Sequence, residues 1–328
     1  MTAANGDHRG PFGDGDHQAA AMIQQRATVA GLQFDRLDES GAVEHIIRAA
    51  GLGQGGWVAT PNIDICRAAQ RDPARHALVA GASLVVPDGM PVLWAAKLRG
   101  DPLPERVAGS SLIFSLSESA ARHGLSIYLL GGAAGVPEQA GVELGRRYPG
   151  LVIAGADAPA IGFDATSEGV EAVRARLLAA SPDIVFVGLG FPKQERLIAC
   201  LAPSLPAAWF IACGAAIPFA AGAVPRAPVW AQKVGMEWAF RLLMEPRRLF
   251  RRYLVNDLPF ALMLLAASAA QRLRRQARPP GRSSGQEPRR QRDNAVRLPG
   301  PGPAARRRAR RRVSPFAMRP WRTCTVRH

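Results

Sequence analysis

The feature that most constrains this chain is a rhythm of short apolar runs alternating with amphipathic stretches, from Trp57 to Cys213. Gly56-Trp57-Val58-Ala59-Thr60, Ser83-Leu84-Val85-Val86, Ser126 to Leu130, Leu151-Val152-Ile153, Asp183 to Gly188 and Ala208 to Cys213 read as strands. Between them, Ile63 to Arg71, Met90 to Arg99, Leu112 to His123, Val136 to Tyr148, Ser167 to Ala180 and Lys193 to Cys200 carry helical spacing. Strands that read as continuous apolar runs are buried on both faces. Alternation with helices therefore predicts an α/β fold, a mostly parallel, Rossmann-like sheet covered by helices on both sides. In such sheets ligands bind beyond the carboxyl ends of the strands. That rule selects Thr60 to Asn62, Pro87 to Gly89, Gly131 to Gly135, Gly188 to Glu195 and Gly214 to Ala216.

Outside this body the character changes. Residues 1–32 are polar and glycine-bearing and read as a flexible leader without a signal peptide, residues 33–222 as the α/β domain, and 223–270 as a basic amphipathic appendage. Residues 271–328 read as a disordered Arg/Pro-rich tail. The formal net charge is +16, but residues 271–328 hold 18 arginines and two acids, whereas 1–270 hold 24 bases and 24 acids. The excess belongs to the tail and does not describe the body. Such a tail can touch acidic lipid or nucleic acid, or be a solvated extension with no specific partner. A nucleotide- or nucleic-acid-binding protein using that tail is the competing functional reading, and it implies salt-sensitive binding.

In the appendage, Trp230 and Trp238 stand among Arg241, Arg247, Arg248, Arg251 and Arg252, followed by the apolar Leu258 to Ala270. Basic and apolar residues concentrated together suit a helix lying in a membrane interface, and the alternative is a helical pair packed on the domain. No stretch approaches the roughly 18–20 uninterrupted apolar residues of a spanning helix. Cys66, Cys200, Cys213 and Cys324 are far apart and lack C-x-x-C spacing, which predicts neither a zinc site nor a disulfide framework and fits a reducing cytoplasm. His45, His76 and His123 show no partner spacing for metal or triad chemistry.

Asp88, at a strand end between Pro87 and Gly89, can take a proton from an attacking hydroxyl. Capping the helix that starts near Met90 is the commoner role for such an aspartate. Thr60 and Asn62 can bind a sugar or orient Asp88, or cap their own helix. Arg106 can neutralise a diphosphate, or pair with Glu105 or Asp101 on the surface. Gly131 and Gly132 open a glycine-rich turn whose backbone N–H groups can face phosphate, but the run is not G-x-G-x-x-G and no Walker lysine is present. In Gly188-Leu189-Gly190-Phe191-Pro192-Lys193-Gln194-Glu195, two glycines permit close backbone approach, and Lys193, Gln194 and Glu195 follow at a helix start. That mix suits a nucleotide-sugar pocket.

Taken in order, these strings resemble the WecG/TagA/CpsF family, glycosyltransferase family 26. The matching segments are Thr60-Pro61-Asn62, Pro87-Asp88-Gly89-Met90, Glu105 to Ser110, Tyr128 to Gly132, Val187 to Glu195, Pro225-Arg226-Ala227-Pro228 and Gly235 to Arg248. Each is weak alone, and the ordered set is strong. The resemblance implies an inverting, metal-independent transferase that uses no cofactor. It moves N-acetylmannosamine, its uronic acid or a related hexose from a UDP-sugar to an undecaprenyl-diphosphate-linked sugar in cell-surface polysaccharide synthesis. It implies Asp88 as catalytic base, Thr60 and Asn62 as its neighbours, and Arg106 and Gln194 as substrate ligands. Arg241, Arg248, Arg251 and Arg252 then belong to a segment that docks on the anionic inner face of the plasma membrane, with a homo-oligomer as a possible assembly. Two positions depart from the family pattern. Ser111 stands where an acid often follows Gly-Ser, and Ile217-Pro218-Phe219 replaces Phe-Asp-Phe, which removes a carboxylate.

Overall fold

The computed structural model describes residues 26–224, 227, 237–244 and 246–276. The chain opens on an antiparallel pair, β1 (Arg26–Val29) and β2 (Leu32–Asp35). Residues 26–32, expected within a flexible leader, form most of this hairpin instead, and residues 1–25 lie outside the described residues. The turn Ala30-Gly31 has positive φ at both positions, the geometry that closes a two-residue hairpin. Ala27, Val29, Leu32 and Phe34 alternate into the core beneath it.

Helix α1 (Glu39–Gly51) starts on an Asp38 cap that accepts from the Gly41 N–H. Then follow β3 (Gly56–Ala59), α2 (Ile63–Arg71), α3 (Pro73–Ala80), β4 (Leu84–Val85), α4 (Met90–Leu98) and α5 (Gly109–His123). Next come β5 (Ser126–Leu130), α6 (Val136–Arg147), β6 (Val152–Asp157), α7 (Ser167–Ala180) and β7 (Ile184–Val187). The body closes with α8 (Lys193–Leu201), β8 (Trp209–Ala212) and α9 (Ala216–Ala220).

Strands β3 to β8 form one six-stranded sheet in the order β4-β3-β8-β7-β5-β6, with every neighbouring pair parallel. The α/β expectation therefore holds. Successive side chains alternate between two cores. Val185, Val187, Phe210 and Ala212 face one side, with α2, α4, α7 and α8. Ile184, Phe186, Trp209 and Ile211 face the other, with α1, α5, α6 and α9.

The C-terminal segment supplies α10 (Glu237–Met244), α11 (Pro246–Phe250), a π-helical stretch Arg251–Asp257 and α12 (Leu258–Gln276). Two expectations change here. The helix does not stop at Ala270 but runs to Gln276, and the rest of the expected Arg/Pro-rich tail, 277–328, lies outside the described residues. Arg251–Arg274 forms a 24-residue helical run that is long and apolar enough to cross a membrane by length and composition alone. Broken apolar patterning at Tyr253, Asn256 and Asp257 hid that length in sequence. Phe260, Ala261, Leu264 and Ser268 form a buried stripe along α12, and Phe260 and Leu264 share a core with Val92, Ala95 and Ala96 of α4.

Candidate active site at the carboxyl ends of the sheet

The loops after β3, β4, β5, β7 and β8 are stitched to one another by backbone groups. Thr60, buried, donates its hydroxyl to the Ala212 carbonyl at 3.2 Å, tying the end of β3 to the end of β8. The Asp88 N–H donates to the Pro61 carbonyl at 3.1 Å, and the Val107 N–H to the Pro87 carbonyl at 2.8 Å. The Gly188 N–H reaches the Leu130 carbonyl at 2.8 Å. Two glycines are demanded by this closeness. A Cβ on Gly131 would meet the Gly188 carbonyl oxygen at 2.8 Å, and one on Gly188 would meet the Gly214 carbonyl oxygen at 2.8 Å.

Asn62 accepts from the N–H groups of Asp64 and Ile65, both at 3.1 Å, so it is the N-cap of α2 as its local alternative anticipated. It also lies beside the Asp88 loop, because a Cβ on Gly89 would stand 3.9 Å from the Asn62 Cβ. Asp88 itself is not the N-cap of α4. That position falls to Gly89, at φ 133°, and the Asp88 carboxylate instead stands 3.6 Å from the Arg106 guanidinium. Arg106 does not take its expected surface partners. Its Nη1 lies 3.3 Å from Glu237 of α10, while Glu105 accepts from the Glu39 N–H and Asp101 pairs with Arg36. A cation between two carboxylates, all three partly buried, is the charged centre of this end of the sheet.

Gln194 supplies a second arrangement. Its Oε1 accepts from the N–H of Gly190 at 3.0 Å and of Gly214 at 3.1 Å, so one side chain sets the loops after β7 and β8. Its Nε2 donates to Glu195 Oε1 at 2.9 Å. Glu195 is only 2% exposed and its Oε2 has no hydrogen-bond partner. Burial pushes this carboxyl up from 4.5 to about 7, against smaller opposing hydrogen bonds from Gln194 and its own backbone. Gly190, at φ 77°, leaves open space where a side chain would stand.

Three expected ligands are engaged otherwise. Glu195 is turned into the protein and supports Gln194. Lys193 pairs with Asp164 at 2.7 Å and lies over the Phe163 ring, because the first turn of α8 faces the 3₁₀ turn at 163–165. Arg252, expected to face lipid, reaches Asp64 at 2.9 Å and Asp257 at 3.9 Å. Arg251 is exposed, while the side chains of Arg241 and Arg248 lie outside the described residues, as does Arg226.

Sequence reasoning missed Glu237, Glu195's supporting role, and the Asp64–Arg67–Asp257 cluster. In that cluster Arg67 pairs with Asp64 and reaches Asp257 at 3.2 Å. Ser111, in place of the frequent acid, donates to Glu39 at 2.5 Å, and Ser115 donates to the same carboxylate at 2.8 Å. Those groups line a groove of about 870 Å³ between α5, α6 and α9, away from Asp88. Among the described residues, no three His, Cys, Asp or Glu side chains gather as metal ligands would.

Comparison with known proteins decides the family. The sequence model of the glycosyl transferase WecG/TagA/CpsF family matches residues 27–275. The chain belongs to that family. It is a glycosyltransferase. Among its relatives is the N-acetylglucosaminyldiphosphoundecaprenol N-acetyl-beta-D-mannosaminyltransferase of Bacillus spizizenii, 32% identical over 201 residues that make up 61% of this chain and 76% of the relative. The Bacillus subtilis protein of the same description is 29% identical over 194 residues, 59% of this chain and 73% of the relative. The matched span runs from the β1–β2 hairpin through nearly all of α12. The hairpin and the C-terminal helices are therefore as much part of this family member as the sheet.

Proposed function

We propose that this glycosyltransferase moves an N-acetylmannosamine-type sugar, or a related hexose, from a UDP-sugar to an undecaprenyl-diphosphate-linked sugar. It does so with inversion, without a metal, and with Asp88 as general base. The observation that carries the reading is the Asp88–Arg106 pair, which sits where loops from five parallel strands meet, beside the Gln194-held turns. The relatives' descriptions supply the mannosaminyl donor sugar and the lipid-diphosphate acceptor.

In the proposed reaction the acceptor hydroxyl oxygen forms a bond to the donor's anomeric carbon. Its proton passes to an Asp88 oxygen. The bond from that carbon to the UDP oxygen breaks, and its electron pair leaves with UDP. Arg106 neutralises the diphosphate beside the glycine turns, whose N–H groups at Gly131, Gly188, Gly190 and Gly214 are engaged within the protein and fix the shape of the pocket. Thr60 and Asn62 hold the floor of the site through the Ala212 and α2 contacts. The enzyme works at the cytoplasmic face of the membrane, because its acceptor is anchored there. The apolar outer face of α12 fits that placement: Leu258, Leu262 and Leu273 are each about half exposed or more.

The test is UDP release by the full chain, given a UDP-sugar with and without a short-prenyl diphosphate-sugar acceptor. Release should depend on the acceptor. Asp88→Ala should keep its unfolding temperature and lose turnover by a factor on the order of 100 to 10,000. Turnover near that of the unaltered enzyme removes Asp88 from the mechanism.

A further inference from the structure

Helix α4 starts directly after the Asp88 loop and buries Val92, Ala95 and Ala96 in the same core that receives Phe260 and Leu264 of α12. The ends of the two helices lie side by side, since a Cβ on Gly100 would stand 3.9 Å from Arg272 Nε. Their opposite faces are solvent-exposed. On α4 that face carries Trp94, 48% exposed, with Lys97 and Leu98. On α12 it carries Leu258, Leu262 and Leu273, and the exposed Arg272 and Arg274 flank that row on either side near the end. Neither helix contains an aspartate or glutamate.

We propose that α4 is a second membrane-contacting element, with Trp94 and Leu98 entering the interface of an anionic bilayer beside α12. This inference rests on the reading of the acceptor as lipid-linked. Tryptophan is the side chain best suited to the headgroup level, with an apolar body and one polar N–H. Lys97, Arg272 and Arg274 complement anionic lipid. A second copy pairing through the same face would set those cations against their own kind. The consequence concerns the site. Trp94 lies four residues into α4, about 6 Å of helical rise from Met90, and Asp88 stands two residues before that helix, so a Trp94 fixed in the interface sets the height of Asp88 above the lipid phosphates. A diphosphate-linked acceptor presents its sugar at that level.

The experiment is flotation of the full chain with vesicles of phosphatidylcholine containing phosphatidylglycerol, for the unaltered protein and for Trp94→Gln/Leu98→Gln. The double variant should bind about tenfold more weakly, from the apolar area withdrawn. It should transfer sugar to a short-prenyl acceptor in solution at an unchanged rate. Brominated lipid should quench part of the unaltered protein's fluorescence, and Trp94→Phe should lose that part. If the unaltered protein floats and the double variant floats equally well, with no lost quenching, α4 is not a membrane element and the lipid-linked reading stands. If the unaltered protein fails to float, both readings fall. If the double variant changes only the sedimenting mass without lipid, the face belongs to a second copy, which overturns the proposal.

Discussion

Replacing Glu195 with glutamine should change how the stability of this enzyme responds to pH while leaving the site assembled. Glu195 is 2% exposed, makes one side-chain hydrogen bond from Gln194, and leaves Oε2 unpartnered. Burial raises its carboxyl from 4.5 to about 7. Below pH 4.5 the group is protonated in both the folded and the unfolded chain, and it contributes no pH dependence. As pH rises from 4.5 to 7 the unfolded chain gives up its proton first, so unfolding becomes steadily more favourable. Above 7 the folded protein holds a carboxylate that burial disfavours, and the loss is complete. The gap between 4.5 and about 7 corresponds to roughly 3 kcal/mol at 1.36 kcal/mol per pH unit. Burial leaves little solvent to screen it. Glutamine is nearly the same size, keeps an oxygen to accept from Gln194, and does not titrate. Glu195→Gln should therefore match the unaltered protein near pH 4.5 and exceed it by about 3 kcal/mol at pH 8, or roughly 6–12 °C in unfolding temperature for a body of this size. Urea unfolding of both proteins from pH 4.5 to 8.5 measures the difference directly. Asp257, raised to about 6 by burial and then by Asp64, titrates in both proteins and cancels. Stability curves that run parallel across this range refute the reasoning.

Glu237→Gln should lower kcat/KM by about tenfold, since it removes a charge-assisted contact to Arg106 worth roughly 1.5 kcal/mol or more. Steady-state transfer assays measure it, and kcat/KM equal to that of the unaltered protein removes Glu237 from the site. Asn62→Ala should cost about 1 kcal/mol in urea unfolding through the lost cap of α2, and Asn62→Asp should restore most of it. Gly188→Ala should destabilise by about 1–3 kcal/mol, because its Cβ would meet the Gly214 carbonyl oxygen at 2.8 Å and the two loops must part. Stability unchanged on either count removes that residue from its assigned role.

What the sequence revealed follows from what is local in it. Strands β5, β7 and β8 are apolar runs buried on both faces, and their carboxyl ends mark the site because a parallel sheet leaves room there. The local alternatives for Asn62 and Asp88 were also legible, though only Asn62 took its cap. The hairpin escaped notice because Arg26 and Gln33 break the apolar reading, while Ala30-Gly31 is a less common turn pair than Asn-Gly. Partners distant in sequence were not readable at all. Arg106 meets Glu237 across 131 positions, and Arg67 meets Asp257 across 190. Nothing in the string Lys193-Gln194-Glu195 says that the second side chain turns to the glycine loops and the third into the core. Only the packing of α8 under β7 and β8 decides that.

Among the described residues, three contacts of the C-terminal segment with the body lie next to loops of the site. Arg252 and Asp257 join Asp64 and Arg67 on α2, the helix that Asn62 caps. Phe260 and Leu264 of α12 share the core of α4, the helix that follows Asp88. Glu237 of α10 joins Arg106, three residues before α5. Asp88 and Glu237 share one guanidinium, at 3.6 and 3.3 Å, so the place of Arg106 beside Asp88 depends on where α10 sits. Removing α10 leaves Arg106 with one carboxylate of the two, and the cation is then drawn to Asp88 alone. On the proposed mechanism, displacing α10 moves the cation that faces the diphosphate before it disturbs any backbone contact of the sheet, and the position of the C-terminal segment governs turnover through charge.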